Sequence, residues 1–177
     1  HPVQRGLREG AVDIALQTDH IAGGGIVSTP CLPMPMGWVG PPGVEPVQTV
    51  DQLLRQPVLT MSPGSQPHEA LKNLFRAAGI PIGKVHCVSS ISALARLVKA
   101  GFGNALVPLP PCYEYVAAGD VRIIECDALI SPQRIVVSHL EAADSDAIRL
   151  VAELACRASD QFTTSATAPT WSAASEG

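Results

Sequence analysis

Short apolar runs alternate with helical patterns along most of this chain, and no other feature restricts its possible folds so strongly. Apolar, β-branched runs typical of buried strands occur at residues 11–16, 36–40, 57–61, 85–90, 104–109, 121–125 and 134–140. Helical spacing of apolar residues occurs at residues 69–78, 91–101 and 144–158. Strands that alternate with helices are joined by right-handed crossovers. The pattern therefore predicts an α/β fold with mostly parallel sheets and helices on both faces.

A proline-rich segment, residues 26–43, interrupts this alternation. It carries five prolines, and each proline removes a backbone donor from a strand ladder. Within the segment, only MGWVG at residues 36–40 is predicted to form a continuous strand.

The helix ends carry recognisable signals. Ser90 is a favoured N-cap residue before the helix at 91–101. Gly79 and Gly101 follow their helices at the position that adopts a left-handed conformation. These signals predict where one helix begins and where two helices end.

The last predicted helix, residues 144–158, is followed by a polar, aperiodic segment. Helical spacing places Ile148, Val151, Leu154 and Ala155 on its inner face. Residues 159–177 are small and polar, which predicts a flexible tail.

Two serine-containing loops are candidates for ligand binding. SPGS at residues 62–65 lies between a predicted strand and a helix N-terminus, and Ser89 and Ser90 occupy the equivalent place one unit later. In parallel α/β folds, ligands bind beyond the carboxyl ends of the strands, where N–H groups and hydroxyls can hold an anion. The loops therefore predict a site for a carboxylate or another anion. The alternative is that these serines only cap helices.

Length and charge limit the possible functions. A chain of 177 residues can bury roughly 70% of its unfolded surface, enough for one domain or two small lobes. The net charge is −4 and lysine and arginine form no cluster, so this chain by itself is not expected to bind DNA.

No apolar run reaches the roughly 18 residues of a membrane span, and the start HPVQRGLREG lacks the apolar stretch of a signal peptide. Neither membrane insertion nor export is predicted.

The cysteines and histidines show no ligand motif. The five cysteines are widely and irregularly spaced, without a CxxC pair or companion histidines. This spacing predicts neither a metal site nor a disulfide framework, and favours a reduced, cytoplasmic protein. A redox-sensing cysteine pair is the alternative.

Enzyme signatures are absent from the sequence. It contains no GxSxG elbow, no HExxH, no phosphate-binding GxxxxGK and no carboxylate pair suited to acid–base chemistry. We therefore predict no catalytic residues and no cofactor.

Several individually weak motifs occur in a fixed order. They are the GxVDIA run at residues 10–15, a proline-punctuated strand, SPGS before a helix that ends in Ala-Gly, and LVxAGxGxxxVP at residues 97–108. In this order, over residues 7–158, the chain resembles the effector-binding domain of LysR-type transcriptional regulators. The resemblance implies a type-two periplasmic-binding-protein fold, in which two Rossmann-like α/β lobes are joined by two crossing strands and a small molecule binds between them.

The resemblance also implies positions for the ligand-binding residues. On the first lobe they are Gln17 and Thr18. On the second lobe they are Ser62, Pro63, Gly64, Ser65, Ser89, Ser90, Ile91, Leu109 and Pro110. The crossings are implied at residues 36–40 and around residues 133–136.

The same resemblance divides the chain. The first lobe comprises residues 1–37 and the returning strand and helix at 134–158, the second lobe comprises residues 38–133, and the tail comprises residues 159–177. The family's opening strand and helix have no counterpart here, so the first lobe is expected to be incomplete at its N-terminus and to expose part of its core.

By resemblance, the function is effector sensing in transcription regulation. The expected partners are a small metabolite, with a small carboxylate as the predicted class, and DNA through a winged helix-turn-helix domain that this chain does not contain. The full-length protein is expected to form a homodimer or homotetramer. The alternative is a solute-binding protein of a transport system, which would share the fold.

Overall fold

The computed structural model describes residues 2–18, 24–143 and 145–165. In chain order its helices and strands are α1 (Pro2–Arg8), β1 (Ile14–Gln17), β2 (Ile26–Pro30), β3 (Met36–Gly40), β4 (Val47–Gln48), α2 (Val50–Leu54), β5 (Val58–Thr60), α3 (Gln66–Ala77), β6 (Val85–Cys87), α4 (Ile91–Lys99), β7 (Asn104–Pro108), α5 (Tyr113–Ala117), β8 (Arg122–Cys126), β9 (Val136–Leu140) and α6 (Asp146–Ser165). Short 3-10 turns lie at Pro110–Cys112 and Glu141–Ala143.

The chain divides into two compact units. The first unit comprises His1–Met34 and Pro132–Ser165, and the second comprises Pro35–Ser131. The chain thus leaves the first unit just before β3 and re-enters it just before β9. These division points lie close to the lobe boundaries expected from the sequence, at residues 37 and 133.

A mixed six-stranded sheet forms the centre of the second unit. Its strand order is β4-β8-β3-β7-β5-β6. Strand β5 runs parallel to both β6 and β7, whereas β3 runs antiparallel to β7 and β8. The three parallel strands β7, β5 and β6 therefore end at the same edge of the sheet.

Alternating side chains of this sheet pack into two apolar clusters. Trp38 and Leu106 belong to the cluster that includes Phe75 of α3, whereas Val39 and Ala105 belong to the cluster that includes Leu94 of α4. Because neighbouring residues of one strand point to opposite faces, the sheet is covered on both sides. The predicted two-sided helical cover is confirmed for this unit.

The sheet of the first unit is antiparallel, which corrects the expectation of mostly parallel sheets. In its strand order β1-β9-β2, the central strand β9 runs antiparallel to both neighbours. The alternation rule concerns strands joined by a single helix, and β9 is separated from β1 and β2 by the whole second unit. Its direction was therefore not set by a crossover helix.

The expectation that β3 is the only strand of the proline-rich segment was wrong. Ile26–Pro30 forms β2, which pairs with β9 from Ile26↔Leu140 to Pro30↔Val136. Strand β2 lies at the edge of the sheet in the described chain and Pro30 is its last residue, a place where a strand tolerates proline.

Helix α6 differs from its prediction in length and in orientation. It continues to Ser165, so residues 159–165 are helical and the predicted tail does not begin at residue 159; residues 166–177 lie outside the described residues. Its buried residues are Ala152, Ser159 and Thr163, whereas Val151 and Leu154 are each 50% exposed. The predicted inner face is therefore wrong at both of those positions.

None of the helices in the described ranges combines the length and the apolar character needed to cross a membrane.

Candidate functional site

The second-unit residues predicted to bind a ligand lie at one edge of its sheet. Thr60, the last residue of β5, pairs with Cys87, the last residue of β6, and with Leu106 of β7. The loops that leave these parallel strands therefore start side by side. We call this group the serine edge; it consists of Ser62, Pro63, Gly64, Ser65, Ser89, Ser90, Ile91, Leu109 and Pro110.

The first loop of the serine edge is closed by its own hydrogen bonds. The Ser65 side chain caps α3 by accepting from the His68 amide at 3.5 Å, and the Ser65 amide donates to the Ser62 carbonyl at 3.1 Å. The Gly64 amide donates to Nδ1 of His68 at 3.1 Å. Gly64 has a φ of +79°, a left-handed conformation that favours glycine. The loop thus has a defined shape, but several of its donors are already used.

The second loop presents two exposed serines before α4. The Ser90 hydroxyl accepts from the Ala93 amide at 3.4 Å and lies 2.9 Å from the Ser92 hydroxyl. Ser89 is exposed and lies outside the cap. The amides of Ile91 and Ser92 in the first turn have no partner within the helix, as at any helix N-terminus.

The two helix N-termini differ in their capacity to bind an anion. The first turn of α3 contains Pro67, and proline has no backbone N–H group to donate. The same turn carries the carboxylate of Glu69. Helix α4 has neither a proline nor an acidic residue in its first turn. Because the positive end of the α4 dipole is not offset by a carboxylate of its own first turn, the Ser89 and Ser90 loop is electrostatically better suited to an anion than the SPGS loop.

The N-terminus of α3 already carries an ionised carboxylate. The Lys72 ammonium lies 3.1 Å from the Glu69 carboxylate, and this hydrogen bond holds the pKa of the Glu69 carboxyl below its usual range. Glu69 therefore stays ionised beside the SPGS loop at neutral pH and disfavours a second anion there.

The third part of the serine edge is apolar. The Leu109 amide donates to the Pro35 carbonyl at 2.9 Å, and the Leu109 side chain is half-buried. Gly37 lies beneath it, since a Cβ atom at residue 37 would stand only 2.9 Å from Cδ1 of Leu109. Pro110 is buried, so Leu109 provides more of the accessible surface than Pro110 does.

Gln17 and Thr18 lie in the first unit, at the end of β1. Nε2 of Gln17 donates to the Ser138 hydroxyl at 3.5 Å, and the Ser138 hydroxyl also lies 2.8 Å from that of Ser28. Gln17 and Thr18 are both half-buried. Their contact with an effector stays a prediction.

Two residues that support the serine edge were not singled out from the sequence. His68 closes the SPGS loop through Gly64, and the fully buried Thr60 donates its hydroxyl to the Leu106 carbonyl at 3.0 Å. For His68, the only signal in the sequence was its position three residues after Ser65, which is where an N-cap side chain accepts a hydrogen bond from the helix. The Thr60 hydrogen bond joins β5 to β7, which are far apart in sequence. No pattern of neighbouring residues could therefore have predicted it.

Comparison with known protein families identifies the family of this chain. The family model described as LysR substrate binding domain matches residues 1–159. The chain belongs to this family. A search of curated proteins finds no significant match.

Solved structures of LysR-family proteins share the fold of this LysR substrate binding domain. The LysR family transcriptional regulator PA01 of Pseudomonas aeruginosa matches with a TM-score of 0.75 at 21% identity, over 89% of this chain and 57% of that protein. The regulatory domain of NMB2055 (MetR) from N. meningitidis matches with a TM-score of 0.68 at 16% identity, over 92% of this chain and 78% of that one.

A third structure, the CcmR regulatory domain of Synechocystis PCC6803 in complex with 2-PG, matches with a TM-score of 0.74 at 14% identity, over 89% of this chain and 78% of that one. The predicted type-two periplasmic-binding-protein-like α/β fold is thus confirmed. The chain spans little more than half the length of the PA01 regulator, and the proteins it resembles are described as regulators.

Proposed function

We propose that this LysR substrate binding domain senses a small carboxylate at the serine edge, and that binding controls DNA recognition by a winged helix-turn-helix domain elsewhere in the full-length protein. The domain has no catalytic role in this proposal. The full-length regulator acts in the cytoplasm as a homodimer or homotetramer.

One observation carries the choice of ligand class. The N-terminus of α4 combines the amides of Ile91 and Ser92, which have no partner within the helix, with the hydroxyls of Ser89 and Ser90, and it has no acidic residue in its first turn. A carboxylate placed there accepts hydrogen bonds from hydroxyl and amide donors and lies at the positive end of the helix dipole. The half-buried side chains of Ile91 and Leu109 offer apolar contact for the body of the ligand.

The relatives support a ligand-binding role. The matched family is a substrate binding domain, and the CcmR regulatory domain is described in complex with 2-PG. The family match also favours a regulator over the solute-binding protein that the fold alone would allow.

The test begins with a panel of small aliphatic and aromatic carboxylates and the corresponding uncharged amides. The purified protein is screened by thermal shift, because a ligand that prefers the folded state raises the melting temperature. We expect at least one carboxylate to raise it and its amide to have no effect. A panel in which amides perform as well as acids would contradict the anion site.

The carboxylate that binds is then titrated calorimetrically into variants. Ser89→Ala removes one hydroxyl that does not cap α4, so affinity should fall roughly fivefold, the equivalent of about 1 kcal/mol, while the melting temperature hardly changes. Ser89→Tyr places a bulky side chain on the same surface and should abolish binding. Unchanged affinity in both variants would place the site elsewhere.

A matched pair of cap variants separates binding from stability. Ser90 caps α4 and Ser145 caps α6, where its hydroxyl accepts from the Ile148 amide at 3.3 Å. Ser90→Ala and Ser145→Ala should each lower the free energy of unfolding by about 1 kcal/mol. Only Ser90→Ala should also weaken carboxylate binding.

A further inference from the structure

Three side chains from distant parts of the chain meet where α6 packs against the end of β2. They are Cys31, just after β2, and Cys156 and Asp160, one helical turn apart on α6. Their sulfur and carboxylate oxygen atoms all lie within 4.8 Å of one another. Cys31 is buried, and the other two are half-buried. This group, which we call the thiol–carboxylate cluster, lies wholly within the first unit and takes no part in the serine edge.

We propose that the thiol–carboxylate cluster is a binding site for a thiophilic divalent cation, with Zn²⁺ as the best-fitting ion. Cys31 and Cys156 would supply thiolate ligands and Asp160 a carboxylate oxygen. Both thiols lose their protons to solvent on binding, and the ion keeps a fourth position for water.

The distances allow this coordination with small movements. Tetrahedral zinc has bonds of about 2.3 Å to sulfur and 2.0–2.2 Å to oxygen, so its ligand atoms lie roughly 3.3–3.8 Å apart. Each ligand pair in the cluster therefore needs to approach by no more than about 1.5 Å. Cys156 and Asp160 are four residues apart on one helix, so their side chains share a face and can approach the same ion.

The carboxylate of Asp160 is held in place by the backbone. One of its oxygens accepts a hydrogen bond from the Leu32 amide at 2.6 Å, immediately after Cys31 in the chain. The second oxygen can therefore bind a cation while the first keeps the loop in position. Ligands supported in this way bind a metal more tightly than mobile ones do.

A route for entry is also present. Cys156 and Asp160 line a cavity of about 390 Å³ together with His139, Glu153, Arg149 and Arg157. The two arginines are paired with carboxylates, Arg157 with Glu153 and Arg149 with Asp146. Water and an incoming ion can reach the cluster through this cavity, which provides the access that a metal site requires.

The experiment measures metal binding by the purified protein after reduction and removal of metal with a chelator. Zn²⁺ affinity is measured against a chromophoric competitor, and Co²⁺ serves as the spectroscopic probe. We expect one equivalent to bind, with the sulfur-to-cobalt charge-transfer absorption that thiolate ligation produces. Binding without that absorption, or no binding, would overturn the proposal.

Variants of the two half-buried ligands locate the site. Asp160→Asn keeps an oxygen for the Leu32 amide but removes the charge, and Cys156→Ser removes one thiolate. Each should weaken Zn²⁺ binding by at least about tenfold, the loss that even outer-sphere partners of a metal typically cause. The controls are Asp146→Asn on the same helix and Cys87→Ser, an exposed cysteine outside the cluster; both should bind as the unaltered protein does.

Two further outcomes would count against the site. Equal affinity in Cys156→Ser and Cys87→Ser would place the bound metal elsewhere. Quantitative formation of a Cys31–Cys156 disulfide under mild peroxide, detected by mass spectrometry, would assign the pair to redox chemistry instead.

Discussion

At Gly103, between α4 and β7, the backbone passes so close to Pro57 that no side chain fits. A Cβ atom there would stand 2.1 Å from the Pro57 carbonyl oxygen, and the residue has a φ of +149°. The Asn104 amide bonds to that same carbonyl at 3.2 Å, which draws the two segments together. Gly101 has a different role, because its φ is +81° but nothing lies within 4 Å of its Cβ position.

The two glycines therefore predict different costs for the same substitution. Gly101→Ala introduces only backbone strain and should lower the free energy of unfolding by about 1 kcal/mol. Gly103→Ala adds a clash with a backbone atom that cannot move without breaking the sheet, and should cost about 3 kcal/mol or more. Urea unfolding monitored by circular dichroism measures both, and equal losses would contradict the close approach at Pro57.

Among the elements, α6 shows how a helix can bury a face other than its most apolar one. Its buried residues are Ala152, Ser159 and Thr163. Ala152 packs in one apolar cluster with Val137 of β9, which is fully buried. In the described chain, the larger residues Val151 and Leu154 are half exposed.

This orientation predicts a contrast between two leucines. Leu154 of α6 is 50% exposed, whereas Leu94 of α4 is 0% exposed. Leu94→Ala should lower the free energy of unfolding by about 2–5 kcal/mol, and Leu154→Ala by less than about 1 kcal/mol. Both substitutions put alanine into a helix, so helix propensity is matched and burial alone differs.

Chemical denaturation at low protein concentration gives the two values. If Leu154→Ala lowered the free energy of unfolding as much as Leu94→Ala does, Leu154 would lie on the buried face of α6, as the sequence pattern predicted.

For the whole molecule, the arrangement of charge decides which partners are possible. The net charge is −4, and many basic side chains pair with an acidic one three or four residues away in the chain, as in Arg5–Glu9, Arg55–Asp51 and Arg157–Glu153. In the part of the chain that the structure describes, pairing of this kind offsets the positive charges that a phosphate backbone would need.

We therefore expect this chain alone to show no sequence-specific affinity for DNA. An electrophoretic mobility shift assay at physiological salt, with promoter DNA and micromolar protein, should give no discrete complex. The full-length regulator serves as the positive control. A complex of this chain at nanomolar concentration would show a DNA-binding surface that its charge distribution does not predict.

Much of the second unit could be predicted from sequence because its signals are local. Strands β3, β5, β6 and β7 coincide with short apolar runs, and Gly79 and Gly101 have the left-handed conformations expected after α3 and α4. A cap, a turn or an apolar run depends on residues within a few positions of one another. That the SPGS loop and the Ser89–Ser90 loop leave neighbouring strands at one sheet edge also followed from the parallel alternation of strands and helices.

Tertiary structure alone decided the features that depend on partners distant in sequence. Strand β2 forms despite its proline because β9, more than a hundred positions later, pairs with it. The face that α6 buries depends on its packing against the first unit's sheet, where Ala152 lies in one cluster with Val137. The spacing of apolar residues along α6 does not report that packing. The same packing brings Cys31 to Cys156 and Asp160. Residue spacing along the chain reports only neighbours within one turn or strand, so a site assembled across the first unit left no motif in the sequence.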